Sequence, residues 1–232
     1  MAGTETAVSA AAYSDKLEAL FRGHANAEQA AAMKAYMREQ FDFLGIRTPE
    51  RNALMKAFVK EHGVPSGAEL EATVRRLWAL PEREYLYAAM TLMDKRKKEL
   101  GPAQTELLEF LITTHAWWDT VDLLASHLAG TLFGKHPELV PAFTEKWITA
   151  ESLWLRRSAL LFQLGYKGRT DAELLFSLVR RTAHESDFFM RKAIGWALRE
   201  YGKTDPDAVR AFVRETELSP LSVREALKHI GE

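Results

Sequence analysis

Trp118 and Asp122 stand four residues apart in the segment Trp117-Trp118-Asp119-Thr120-Val121-Asp122. Four residues is about one helical turn, so an indole and a carboxylate share one helix face, one above the other. That pairing suits a target that is flat or apolar on one side and carries, or develops, positive charge. Asp119 is a rival acid, but its position near the expected helix start fits a capping or dipole role. Trp117 lies about 100° around the helix and reads as a core residue. Trp78, Trp147 and Trp154 read as packing residues too.

Other chemistries find little support. The seven histidines form no pair at helical spacing with an acidic partner, so neither a metal nor a histidine base is expected. The glycines make no phosphate-cradling loop. There are no cysteines, which excludes disulfides, thiolate metal sites and cysteine nucleophiles and fits a reducing, cytoplasmic setting. No lysine stands out as a Schiff-base nucleophile, so lyase activity is not expected. No cofactor is implied. No apolar run approaches the roughly 20 residues that span a bilayer. Nothing demands a dimer, and a monomer is expected.

Hydrophobic residues make up 47% and charged residues 27% of the 232, an ordinary globular balance. The formal net charge of -1 argues, in bulk, against a nucleic-acid partner. Distribution matters more than the sum. Between Arg180 and Lys228 lies a run of cations that includes Arg191, Lys192, Arg199, Arg210 and Arg224. Solvated helix faces with i,i+4 pairs are the plain alternative reading of that run.

The elements that position these residues read as helices almost throughout. Apolar residues recur at spacings of three and four, as in Leu107, Leu108, Leu111 and Ile112. Thr48-Pro49, Asp205-Pro206 and Ser219-Pro220 each place a capping oxygen before a proline at the first helical position. Thr170-Asp171-Ala172-Glu173 has the form of a capping box. Gly63, Gly101, Gly165, Gly168 and Gly202 fall where helices would end. Residues 1–12 read as a loose, polar tail rather than a signal peptide, and 13–232 as one domain of short antiparallel helix pairs.

A repeat runs through that domain. Tyr87, Asp122, Arg157, Arg191 and Arg224 each precede a short apolar stretch, at intervals of 35, 35, 34 and 33 residues. Such a period marks stacked helix pairs that build a curved solenoid with a concave face. Equivalent positions would share one surface stripe, with Asp122 followed by three arginines.

In the order and spacing of its segments the chain resembles the AlkD-type DNA alkylation-repair glycosylases, which have a HEAT-like repeat fold. The matching segments include Phe43-Leu44-Gly45-Ile46, Leu80-Pro81-Glu82-Arg83-Glu84, Trp117-Trp118-Asp119-Thr120-Val121-Asp122, Trp154-Leu155-Arg156-Arg157 and Lys192-Ala193-Ile194-Gly195-Trp196-Ala197-Leu198-Arg199. The resemblance implies hydrolysis of the N-glycosidic bond of N3- and N7-alkylated purines in duplex DNA, bound on the concave face. It places the catalytic carboxylate on Asp122 and the tryptophans beside the lesion on Trp118 and Trp196. It places a phosphate-holding cleft arginine on Arg157, rather than the adjacent Arg156, and a cleft tyrosine on Tyr36. Arg191, Lys192, Arg199 and Arg224 would add salt-dependent affinity for the DNA backbone. The resembled family acts without enclosing the base in a pocket. Two alternatives remain: a non-catalytic DNA-binding relative, and a helical-repeat scaffold for proteins.

Overall fold

The structure, a computed structural model, describes residues 9–231. The fold is all-α, of the helical-repeat class, and among the described residues the sole strand-like feature is an isolated bridge between Asp42 and Glu82. Its residues cluster into two compact units that divide after Arg96.

The first unit contains α1 (Ala10–Gly23), α2 (Ala27–Tyr36), α3 (Thr48–His62), α4 (Gly67–Trp78) and α5 (Arg83–Arg96). Helix α1 starts at Ala10, with the Ser9 hydroxyl capping Ala12, so it takes in the last three residues of the expected tail. The first eight residues of that tail lie outside the described residues. Burial of Leu17, Phe21, Val74, Leu77 and Tyr85 joins α1, α4 and α5. A fully buried side chain of this kind contributes about 1.5–3 kcal/mol.

The segment Leu44-Gly45-Ile46 folds around an acid. The buried Glu84 carboxylate accepts three backbone N–H groups, from Leu44, Gly45 and Ile46, at 2.8–3.1 Å. Those bonds satisfy both the charge and the loop's donors where water is excluded. Gly45 has a φ of +91°, and a Cβ there would lie 2.0 Å from the Asn26 carbonyl oxygen, so both conformation and space demand glycine.

The second unit is a stack of helix pairs. Helix α6 (Thr105–Thr113) pairs with a run formed by α7 (Trp118–Leu123), a π-helical turn (Leu124–Ala129) and α8 (Gly130–Lys135). Then come α9 (Val140–Ile148) with α10 (Leu153–Leu161), α11 (Ala172–Thr182) with α12 (Phe188–Gly202), and α13 (Pro206–Glu215) with α14 (Pro220–Leu227). Short connections make the partners of each pair antiparallel neighbours. The second helices of successive pairs stack on one another, α10 on the π-helical turn, α12 on α10 and α14 on α12. Leu124, Leu128, Leu132, Phe133, Leu160, Leu161, Ile194 and Leu198 fill the space between them.

Most helix starts follow the sequence signals. Asp205 and Ser219 cap α13 and α14 through their side-chain oxygens. Two starts differ. Thr48 is the first residue of α3 rather than its cap, which falls on Arg47 with no side-chain bond. The cap of α11 is Asp171, accepting from Leu174, so Thr170 stays outside and no capping box forms. Aspartate competes well with threonine for this role, because a charged acceptor also meets the positive end of the helix.

Candidate active site

Trp118 and Asp122 sit in α7, whose cap residue Trp117 is extended. Trp117 packs its ring against Trp154 and Phe189, with centroids 5.7 and 5.1 Å away. It was expected in the core, but is half-buried in that aromatic cluster, because the helix cap leaves part of its ring at the surface. Asp119 stands in the first turn of α7, where the helix dipole favours an anion.

Behind Asp122 the backbone leaves α geometry. Gly130 N–H reaches the Ala125 carbonyl, five residues back, closing a wide π turn. The Ser126 hydroxyl donates to the Asp122 carbonyl at 2.6 Å. Turns of this kind insert one extra residue into a helix and are frequent at functional sites. Gly130 lets the run approach the chain leaving α10, since a Cβ there would lie 2.5 Å from the Phe162 carbonyl oxygen. Tyr166 Oη donates to the Gly130 carbonyl at 2.7 Å and fastens the same junction.

That close approach brings α10 alongside Asp122. Arg157 Nε donates to Asp122 Oδ1 at 2.7 Å and Nη2 to Oδ2 at 2.9 Å, a bidentate pair. Nη1 donates to the Phe189 carbonyl. The Arg157 side chain is 5% exposed and that of Asp122 18%. Arg157 was expected to hold a phosphate; here it is buried, with Nε and Nη2 turned to the acid and Nη1 to the Phe189 carbonyl. The neighbouring Arg156 binds Glu185 instead, at 2.9 and 3.0 Å. Burial pushes the Asp122 carboxyl above its ordinary range; the hydrogen bonds and charge of Arg157 pull it down, and Asp119 adds to the upward push.

Asp122 and Arg157 open onto a cleft of about 410 Å³ lined also by Trp118, Phe188, Phe189, Lys192, Trp196, Arg199 and Glu225. Asp187 sets the wall from α12, capping that helix through bonds from Phe189 and Met190 N–H groups. Lys192, Trp196 and Arg199 then follow at spacings of four and three on one face. The convergence of Trp118, Asp122, Arg157 and Trp196 on one cleft is therefore a feature of the second unit by itself. Lys192 and Arg199 reach it too, both bound to Glu225.

Other expected residues stand elsewhere. Arg191 Nε donates to the Glu185 carbonyl, and Arg224 is exposed; neither lines this cleft. Tyr36 belongs to the first unit, at the end of α2, and is 74% exposed. Phe188, Phe189 and Glu225 were missed. The α12 face was readable from its period of three and four, and Phe188, 54% exposed, stands one turn ahead of Lys192. Among the described residues no group of three or more His, Asp or Glu side chains is placed to hold a metal, and no helix is long and apolar enough to cross a membrane.

The sequence profile of a family described as DNA alkylation repair enzyme matches residues 17–230, nearly the whole chain. The chain belongs to the DNA alkylation repair enzyme family. A solved structure described as a "Predicted DNA alkylation repair enzyme from Enterococcus faecalis" is similar to it at 36% identity and a TM-score of 0.82, covering 90% of this chain and 97% of that one. No curated protein matches the chain. For a DNA alkylation repair enzyme the cleft has an apt composition, with a fixed acid, indole faces and cations within one helical unit. Membership supports a role in repair of alkylated DNA and suggests DNA as the partner.

Proposed function

We propose that this protein is a monofunctional DNA glycosylase that hydrolyses the N-glycosidic bond of cationic N3- and N7-alkylated purines, such as 3-methyladenine and 7-methylguanine, in duplex DNA. The observation that carries the reading is the Asp122 carboxylate, held by two Arg157 hydrogen bonds in a cleft that also contains Trp118 and Trp196.

Such a lesion already bears a positive charge. When the bond between C1′ and the purine nitrogen breaks, the electron pair neutralises the base, so no acid is needed to protonate it. The remaining difficulty is positive charge developing on the sugar. A fixed carboxylate stabilises that charge best where water is partly excluded and nothing must reorganise. Water then adds to C1′ and its proton passes to Asp122 or to solvent. The hydrolysis of sugars meets a similar oxocarbenium-like state with carboxylates.

Arg157 acts as a positioning residue in this scheme. Its bidentate grip removes rotational freedom from Asp122, and each carboxylate oxygen keeps a lone pair for water or sugar. Trp118 and Trp196 supply indole faces to a cationic nucleotide, a contact worth about 0.5–2 kcal/mol that a neutral purine lacks. Lys192 and Arg199 are the cleft's donors for backbone phosphate.

The test is release of 7-methylguanine and 3-methyladenine from methylated duplex DNA. Wild-type protein should free both bases, and Asp122→Asn should be slower by roughly 100- to 1000-fold. Absence of release with intact DNA binding would mark a non-catalytic binder. Wild-type rates in Asp122→Asn would transfer the role to Asp119.

A further inference from the structure

The stripe that the structure builds across the second unit is Asp122, Arg157, Lys192 and Glu225, at intervals of 35, 35 and 33 residues. Acids stand at both ends with cations between them. At one end, Asp122 and Arg157 satisfy each other with two parallel bonds. The other end is divided. Glu225 gives one oxygen to Lys192 Nζ at 2.9 Å and the other to Arg199 Nη1 at 2.5 Å.

One carboxylate thus spans two cations. An ammonium has three N–H groups and a guanidinium five, so each cation keeps donors to spare. Two cations converging on two oxygens borne by one centre also match the two non-bridging oxygens of a phosphodiester. The arrangement is built into the backbone. A Cβ on Gly195 would lie 2.5 Å from Glu225 Cβ and 2.9 Å from the Ser222 carbonyl oxygen. Glycine therefore lets α14 lie flush on α12 and seats Glu225 between residues three before and four after it. Ser222 Oγ donates to the Arg191 carbonyl at 2.9 Å and fixes α14 in that seat.

We propose that Glu225 is a resident stand-in for a DNA phosphate: in the free protein it occupies the Lys192–Arg199 pair, and a backbone phosphodiester displaces it on binding. The inference rests on the reading of this cleft as a DNA site. Lys192, and after it Arg199, hold the Glu225 carboxyl below its ordinary value against the opposing effect of burial, so protonation near neutrality does not relieve the competition. Two cations and one anion leave a net charge of +1 on the trio. Undamaged DNA, gripped through phosphates alone, is weakened most by this competition. A cationic lesion gains the additional contacts with Asp122 and the tryptophans.

The experiment measures affinity for an undamaged, fluorescently labelled duplex over a salt series, with full-length wild type and Glu225→Gln. The variant retains the Cβ packed against Gly195. It should bind on the order of tenfold tighter at low salt, because the phosphodiester no longer has to displace a charged carboxylate, and the gain should shrink as salt screens that competition. The double variant Lys192→Gln with Glu225→Gln should lose this gain in affinity. Should Glu225→Gln fold poorly by circular dichroism, Glu225→Ala, which also keeps Cβ, carries the same expectation. Unchanged or weaker binding overturns the inference and makes Glu225 a brace for its cations. Excision of 7-methylguanine by wild type, assayed in parallel, separates the failures: if it is intact while Glu225→Gln binds like wild type, only the inference falls. A wild type that neither excises nor binds overturns the reading of the cleft, and the inference with it.

Discussion

Asp122 is held between two opposing forces, and the balance has consequences that can be measured. Burial favours its neutral form, while the paired Arg157 favours its charged form, and burial prevails. The proposed reaction uses ionised Asp122, so single-turnover excision should fall as pH drops through a value above that of a solvated aspartate. Arg157→Met removes the downward pull and should move this acid limb to still higher pH. Coincident limbs in the two proteins would remove Arg157 from the mechanism. The sign for stability follows. A carboxyl raised in the folded state takes up a proton on folding, so its stabilising contribution is complete below the unfolded value and is lost as pH rises through the folded one. Above the folded value that contribution is gone, so at neutral pH the proton linkage of Asp122 adds nothing to stability.

The elements that aim Asp122 are the π turn, α10 and the glycine where they meet. Gly130→Ala would press a methyl group to within 2.5 Å of the Phe162 carbonyl oxygen, a backbone atom that cannot step aside. Overpacking of this kind costs about 1–3 kcal/mol, to be read by chemical denaturation. Excision should fall with it, because the same junction aligns Arg157 with Asp122; unaltered stability would mean that the junction is slack. The legibility of the sequence was uneven at this scale. The spacing of Trp118 and Asp122 and the 35-residue step to Arg157 were readable, because identical side-chain faces recur with the repeat. One step later the register erred by a residue. A step of 34 from Arg157 lands on Arg191, but the Asp187 cap starts α12 so that Phe188, Lys192, Trp196 and Arg199 share the cleft face. The same error carried Arg224 forward in place of Glu225. An acid within a basic run reads as a surface partner until a glycine across the interface reveals how closely the helices lie. The three loop donors around Glu84 left no periodic trace at all, since an acceptor of backbone N–H groups needs no partner side chain.

At the scale of the whole molecule, several cations of the second unit are already paired with acids. Arg156 pairs with Glu185, Arg181 with Glu145, and Lys192 and Arg199 with Glu225, in a protein of net charge -1. A duplex held by a handful of cations releases few counterions. Wild-type affinity should decline with salt at a log–log slope of about -2 to -4, the mark of a few phosphate contacts. A flat response would deny backbone binding, and a much steeper one would demand a broad basic surface elsewhere. Such modest, reversible grip suits an enzyme that must search undamaged duplex before it meets a lesion.

The π turn between Leu124 and Ala129 has a genetic reading as well. It holds one residue more than an α-helical turn requires. Loss of a single codon there would let the run from Trp118 to Lys135 heal into plain α-helix, with the helix pairs still able to stack. Asp122 and Gly130 would then be seven α-helical steps apart, about 700°, close to the angle that the wide turn already gives over eight, so Asp122 would keep its facing toward Arg157. The wide turn thus absorbs one extra codon without turning the cleft's acid away from its partner.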